Sequence, residues 1–377
     1  MNIGFDAKRI FHNQTGLGNY SRDTVRILSD FHQEHSYFLF NPRSHKTNRF
    51  FHDRSNITEV NPQHPFYKKF PSLWRSSAIV NTLKANQIQL YHGLTNELPL
   101  GIHKSGIKTV VSIHDLIFIR FPELYPVVDR NIYRFKFKYA CKIADKIIAI
   151  SKQTKADIIE YFGVAADKVA VIYQGCHPTF QKPLPPEELA RIKQQYQLPE
   201  KYVLNVGTIE QRKNLLSLAK AIQPLENINL VIVGKKTKYA DIVFEYVRKH
   251  QMTNRVFHLE NVNLQDLAGL YQNASIFCYP SIFEGFGIPI IEALFSNVPV
   301  ITSTGSCFSE AGGPNSIYVD PSDVREIREA IQSIWDDPEK AAHLAENGWQ
   351  FAQRFRDDAI ATNLMAVYDQ LMVQTTN

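Results

Sequence analysis

Ser281-Ile282-Phe283-Glu284-Gly285-Phe286-Gly287-Ile288-Pro289-Ile290-Ile291-Glu292-Ala293 is the segment that decides the fold. The apolar run 274–279 before it reads as a strand, and Pro289 suits the first position of a helix. Strand, glycine-rich turn and helix start therefore succeed one another. Gly285 and Gly287 let backbone N–H groups come close to a ligand, and a helix N-terminus favours negative charge such as phosphate. Glu284 lies on the turn and Glu292 about one helical turn later. Two carboxylates would repel a phosphate there, so their expected partners are neutral hydroxyls, as on a sugar. A capped helix carrying two solvated acids is the plain structural alternative.

Outward from this segment the same pattern repeats. Strands are expected at 2–5, 37–40, 88–91, 109–113, 146–150 and 169–173, and again at 202–206, 230–233, 256–259, 275–279, 298–302 and 317–319. Helical periodicity falls between them, at 19–31, 131–144, 152–161, 214–223, 240–250 and 264–272 among others. Strands alternating with helices imply α/β architecture: two Rossmann-like, doubly wound parallel sheets in series. The Pro-rich polar run 181–186 is the best linker. The expected domains are 1–178 and 201–355, with a linker at 179–200 and a terminal helix at 356–377. In such sheets ligands bind beyond the carboxyl ends of the strands, so two facing domains would place a ligand in the cleft between them.

The chain has 377 residues, 44% hydrophobic and 21% charged, which is ordinary for a soluble globular protein. A strand beginning at Met1 and the lack of any run of 18 apolar residues lead to the expectation of a cytoplasmic protein. Cys141, Cys176, Cys278 and Cys307 have no metal-ligand spacing and read as free thiols. The net charge of +5 hides an asymmetry: residues 1–178 carry 24 Lys+Arg against 14 Asp+Glu, and the remainder 18 against 23. The basic half favours an anionic surface or a phosphate-bearing acceptor. No nucleic-acid-binding module or dense basic tract is present, so no nucleic-acid partner is expected.

Several other stretches carry chemistry. Gly207-Thr208-Ile209-Glu210-Gln211-Arg212-Lys213-Asn214 lies after a strand and before a helix. Arg212 and Lys213 oppose the dipole of that helix, a local conflict that marks functional positions, and they could neutralise a diphosphate. With no paired acids of the DxD kind after a strand, these cations are expected to do the work of a Mg²⁺, and no metal is expected. Gly16-Leu17-Gly18 forms an incomplete glycine motif before a helix, readable as a phosphate- or acceptor-touching loop. His92 and His114-Asp115 lie at the ends of expected strands; His114 is a candidate site residue, while Asp115 could simply cap the next segment. The stretch 64–75 interleaves aromatics with Lys68, Lys69, Trp74 and Arg75, a pattern that suits an anionic membrane interface or an acceptor, or else a surface loop and core helix.

Glu284 to Glu292 resembles the E-x7-E motif of the GT4 family of retaining glycosyltransferases, which have the GT-B fold. Tyr279-Pro280-Ser281, the 207–214 stretch, Gly16-Leu17-Gly18 and His114-Asp115 also fall at that family's usual places. The resemblance implies transfer of a sugar from a nucleotide-sugar donor with retention of configuration, mannose from GDP-mannose being favoured. It further implies that Glu284 holds donor-sugar hydroxyls and Glu292 the nucleotide ribose. Gly207, Arg212, Lys213 and the amides of Phe286, Gly287 and Ile288 would bind the diphosphate. The loop at Gly16 would close over it, and His114 would lie beside the sugar. A glycan or lipid-linked glycan is the implied acceptor, and the terminal helix 356–377 is implied to cross back onto the first domain. A UDP-sugar transferase, a nucleotide-sugar epimerase and an inactive nucleotide-sugar-binding subunit are the alternatives.

Overall fold

The computed structural model describes residues 1–13, 15–43 and 54–373. The chain divides into two compact units, Met1–Gly175 with Asp357–Asn377, and Cys176–Arg356.

The first unit is built on β1 (Asn2–Asp6), β2 (Ser36–Phe40), β3 (Ile57–Val60), β4 (Leu90–Gly93), β5 (Lys108–Ile113), β6 (Lys146–Ala149) and β7 (Val169–Val171). They form one sheet in the order β3-β2-β1-β4-β5-β6-β7, with every pair parallel. Sequence order reverses direction between β1 and β4, the position at which doubly wound sheets open a crevice for ligands. Helix Gly16–Phe31 turns Val25 and Leu28 into the core with Phe5 and Leu39. The terminal helix Asp357–Val373 packs in the same core through Leu364, Met365, Tyr368 and Leu371, and Arg26 meets Asp357 at 2.7 Å.

The second unit carries β8 (Tyr202–Val206), β9 (Asn229–Val233), β10 (Val256–Leu259), β11 (Ile276–Tyr279), β12 (Val300–Ser303) and β13 (Ile317–Val319). Their order is β10-β9-β8-β11-β12-β13, again all parallel. Runs such as Leu230-Val231-Ile232-Val233 are apolar on both faces because helices cover both sides of the sheet. Here the order reverses between β8 and β11.

Three details differ from expectation. The edge strand β3 has no counterpart in the sequence reading: Thr58 and Glu59 break its apolar run, which an edge position tolerates. The expected linker 179–200 contains helix Pro186–Gln195, docked within the second unit on helix Leu264–Gln272 through Arg191 and Tyr196, 2.5 and 2.8 Å from Asp266. Gly16-Leu17-Gly18 is not a loop but the first turn of its helix, where the Gly18 N–H bonds the Asn13 side chain at 3.2 Å. A Cβ at Gly18 would stand 2.1 Å from the Asn13 carbonyl oxygen, so only glycine permits this approach. Among the described residues no helix is long and apolar enough to cross a membrane.

Candidate active site

The reversal point of the second sheet brings two loops together, 207–214 after β8 and 280–287 after β11. Short backbone and side-chain bonds stitch them: the Ile282 N–H donates to the Arg212 carbonyl at 2.9 Å, and the Asn214 amide to the Pro280 carbonyl at 3.1 Å. Asn214 takes φ +57 at the turn into helix Leu215–Ile222, and Gly207 takes φ +147. The Gly207 carbonyl crowds Gly234, where a Cβ would lie 1.9 Å from it.

Glu284 is the centre of the cluster. Its Oε1 accepts from Lys213 Nζ at 2.6 Å, Arg212 Nη1 at 2.8 Å, Ser281 Oγ at 2.6 Å and Tyr279 Oη at 3.0 Å. Only 8% of the residue is exposed. Burial raises a carboxyl group, but the Lys213 ammonium and the Arg212 guanidinium outweigh it and hold Glu284 at about 2. The carboxylate is therefore ionised throughout the physiological range. All four donors meet the same oxygen; among the described residues Oε2 is the one left for a ligand hydroxyl. Lys213 also bonds the Tyr279 hydroxyl and stands 5.0 Å over its ring, while Arg212 reaches the Phe283 carbonyl and Glu210, the latter at 2.7 Å.

The end of β12 and the residues just after it brace the turn. Ser303 Oγ donates to the Ser281 carbonyl at 2.6 Å, and the buried Cys307 thiol to the carbonyls of Glu284 and Phe286 at 3.2 and 3.0 Å. Burial, and next the Glu284 charge, push the Cys307 thiol well up, which keeps it a neutral donor. Gly287 caps helix Ile288–Phe295 with φ +104, and Phe286 packs against Phe355. Glu292, one turn into that helix, accepts from the Tyr271 hydroxyl at 2.8 Å. Arg212, Lys213, Glu284, Phe286, Gly287 and Ile288 thus come together in one unit. Tyr279 and Ser281 belong to the motif read from sequence, but Ser303, Cys307 and Tyr271 were missed, because nothing local in the sequence ties them to the turn. Among the described residues no group of three His, Cys, Asp or Glu side chains is placed to hold a metal ion.

In the first unit His114 is buried after β5. Its Nε2–H donates to the Leu94 carbonyl at 2.9 Å and its Nδ1 accepts from the Gln174 amide at 3.2 Å, with the Tyr20 ring edge-on at 4.5 Å. Burial lowers it to about 4 against the opposing pull of the Leu94 carbonyl, so the ring is neutral. His92 is wholly buried, bonded to Tyr368 Oη at 2.6 Å and Ser112 Oγ at 2.9 Å, and lowered by burial to about 3. It anchors the terminal helix and offers nothing to an acceptor. Asp115 accepts from the Ile117 N–H at 3.1 Å in a local turn one residue before Leu116, the N-cap of helix Ile117–Arg120.

The 64–75 stretch divides. Lys68 and Lys69 are exposed, whereas Trp74 is 2% exposed and donates to Thr82, placing it in the core and not at a membrane interface. Arg75 is spoken for by Asp6 and by Glu97 at 2.7 Å, so its charge is neutralised inside the unit.

A family model for group 1 glycosyl transferases matches residues 187–351, and one for glycosyltransferase family 4 matches residues 15–180. The chain is a family 4 glycosyltransferase. Over 98% of this glycosyltransferase and 100% of the relative, it is 28% identical to the O-antigen chain mannosyltransferase B of Escherichia coli. Its fold is GT-B. A glycosyltransferase from Rickettsia africae superposes with a TM-score of 0.78 at 17% identity, covering 98% of each chain. Anabaena HepE, solved with UDP and glucose, superposes with a TM-score of 0.76 at 19% identity over 98% of this chain and 100% of that one.

Proposed function

We propose that this glycosyltransferase moves mannose from GDP-mannose, with retention of configuration and without a metal, to a glycan or lipid-linked glycan acceptor. The observation that carries the chemistry is the cation pair Lys213 and Arg212 held on Glu284 beside a helix N-terminus. As the donor's C1–O bond breaks, negative charge grows on the departing diphosphate. Lys213, Arg212 and the amides at the start of helix Ile288–Phe295 stabilise that charge more in the transition state than in the ground state, which is what lowers the barrier. Their two positive charges do electrostatically what a divalent ion does elsewhere. Glu284, fixed through Oε1, orients sugar hydroxyls through Oε2, and Glu292 receives the ribose. With this sugar-binding role Glu284 does not act as a nucleophile; same-face attack lets the leaving phosphate take the acceptor's proton.

The mannose assignment leans on likeness to the O-antigen mannosyltransferase. A UDP-sugar donor is the second reading, favoured by the GT-B neighbour solved with UDP and glucose. Thermal shifts with GDP-mannose and UDP-glucose, followed by transfer assays with labelled donor and glycan extract, separate the two. A cognate donor at about 100 times its Kd stabilises by about 2.7 kcal/mol. A shift and transfer with UDP-glucose alone overturns the mannose reading, and recovery of an isomerised sugar nucleotide in place of a glycoside overturns the transferase reading.

A further inference from the structure

Side chains of the segment 303–307 grip the glycine turn by its peptide groups. Ser303 Oγ holds the Ser281 carbonyl at 2.6 Å. Ser306 Oγ accepts from the Glu284 N–H at 3.4 Å and donates to the Glu284 carbonyl at 3.2 Å. The Cys307 thiol is shared between the carbonyls of Glu284 and Phe286, at 3.2 and 3.0 Å. Ser306 does this at φ +46, directly after Gly305 at φ +77. A serine adopts the left-handed region at a cost, and such strain gathers where a ligand is held. Cys307 is fully buried, and burial followed by the Glu284 charge pushes its thiol well up, so it keeps the proton it donates and is no nucleophile.

The grip has a direction. In a trans peptide the C=O and N–H point to opposite sides. Cys307 holds the Phe286 carbonyl, so the N–H of the same peptide unit, that of Gly287, points away from the 303–307 segment. Gly287 is buried, and among the described residues this N–H has no hydrogen-bond partner. A buried backbone donor without an acceptor is rare. This one stands at the N-cap of helix Ile288–Phe295, whose dipole favours an anion.

We infer, granting that the donor's diphosphate binds at this helix start, that Cys307 and Ser306 are positioning residues for it: by holding the carbonyls of Glu284 and Phe286 they aim the Gly287 N–H at a diphosphate oxygen. The thiol acts as a hydrogen-bond donor to the backbone and touches no substrate. Because the aim concerns one phosphate contact, its loss falls on ligands that carry the diphosphate and spares the nucleoside.

Calorimetric titration of the full chain with GDP, UDP, guanosine and uridine tests this, with melting curves alongside. Cys307→Val fills nearly the same space without a donor. It is expected to weaken the bound nucleoside diphosphate about tenfold and to leave the nucleoside unchanged, while Cys307→Ser, which keeps a donor, restores most of the affinity. Ser306→Gly relieves the left-handed backbone as it removes the grip, so it melts no lower than the parent yet binds the diphosphate more weakly; a purely structural residue does not give that pair of results. Ser306→Gly carries the test if Cys307→Val does not fold. Parental affinity in Cys307→Val or Ser306→Gly, an equal loss for nucleoside and diphosphate, or a Cys307→Ser variant as weak as Cys307→Val overturns the positioning role. A parent that binds neither GDP nor UDP refutes the donor site itself.

Discussion

Lys213 Nζ lies 2.6 Å from Glu284 Oε1, across 71 residues of sequence, with Arg212 2.8 Å from the same oxygen. This pairing explains how two cations are kept at the start of a helix whose dipole opposes them. The buried carboxylate compensates both charges.

Glu284→Gln leaves Lys213 and Arg212 facing a neutral amide. Breaking a buried pair from one side costs about 3–5 kcal/mol, and transfer is expected to fall roughly 10²- to 10³-fold, as when a preorganised polar contact to a transition state is lost. Denaturant titration and initial rates measure the two effects; parental activity in the variant would refute the assignment.

The same pair sets an acid limit. Glu284 sits at about 2 in the folded chain and near ~4.3 when unfolded, so its contribution to stability is full above the unfolded value and is lost as pH falls toward 2. The stability gap between the parent and Glu284→Gln should be constant from pH 7 to about 5 and shrink below ~4.3.

His92 and His114 act over a higher window. Both are lowered by burial, to about 3 and about 4, while the unfolded chain takes up their protons near pH ~6.5. Stability therefore falls with acidification from about pH 6.5, by up to ~1.4 kcal/mol per pH unit for each ring. Replacing His92 by Gln, at some cost at neutral pH, should flatten the melting-temperature profile between pH 6.5 and 4. An unchanged slope would count against a neutral buried ring.

Gly287→Ala forces a Cβ onto a backbone at φ +104 and to 3.1 Å from Ile290. The expected cost is about 1–3 kcal/mol, expressed chiefly as weaker donor binding if, as proposed, the start of this helix meets the diphosphate. Calorimetric titration with GDP-mannose and UDP-glucose reads the loss.

Chelation should leave turnover unchanged. If Lys213 and Arg212 carry the leaving-group charge, EDTA-treated protein retains its rate without added Mg²⁺ or Mn²⁺, while Lys213→Ala loses it. A rate that collapses with EDTA and returns with Mg²⁺ would overturn this division of labour.

Much of the fold was legible because its strands are buried on both faces and read as apolar runs; β8, β10 and β13 have the boundaries read from sequence. Strand β3 escaped because Thr58 and Glu59 interrupt it at a sheet edge. Of the candidate site, Glu284, Arg212 and Lys213 were singled out from their loops and Glu292 from its place about one turn into a helix; the structure brings the first three into direct contact. Trp74 and Arg75 misled: their aromatic and cationic character is the same whether they face solvent or the core, and only packing against Phe40 and pairing with Asp6 distinguish the two.

By itself the sequence determined the alternation of strand and helix, the glycine turns and the residue types at the site, because these rest on local propensity, periodicity and chain order. The tertiary structure decided which oxygen of Glu284 is occupied, that Cys307 and Ser303 brace the turn, and that His92 is a structural residue. It also decided which side chains of the terminal helix, Leu364, Met365, Tyr368 and Leu371, complete the first unit's core. Those outcomes depend on which distant loops the parallel sheets bring side by side, and burial then sets the charge state of the groups that meet there.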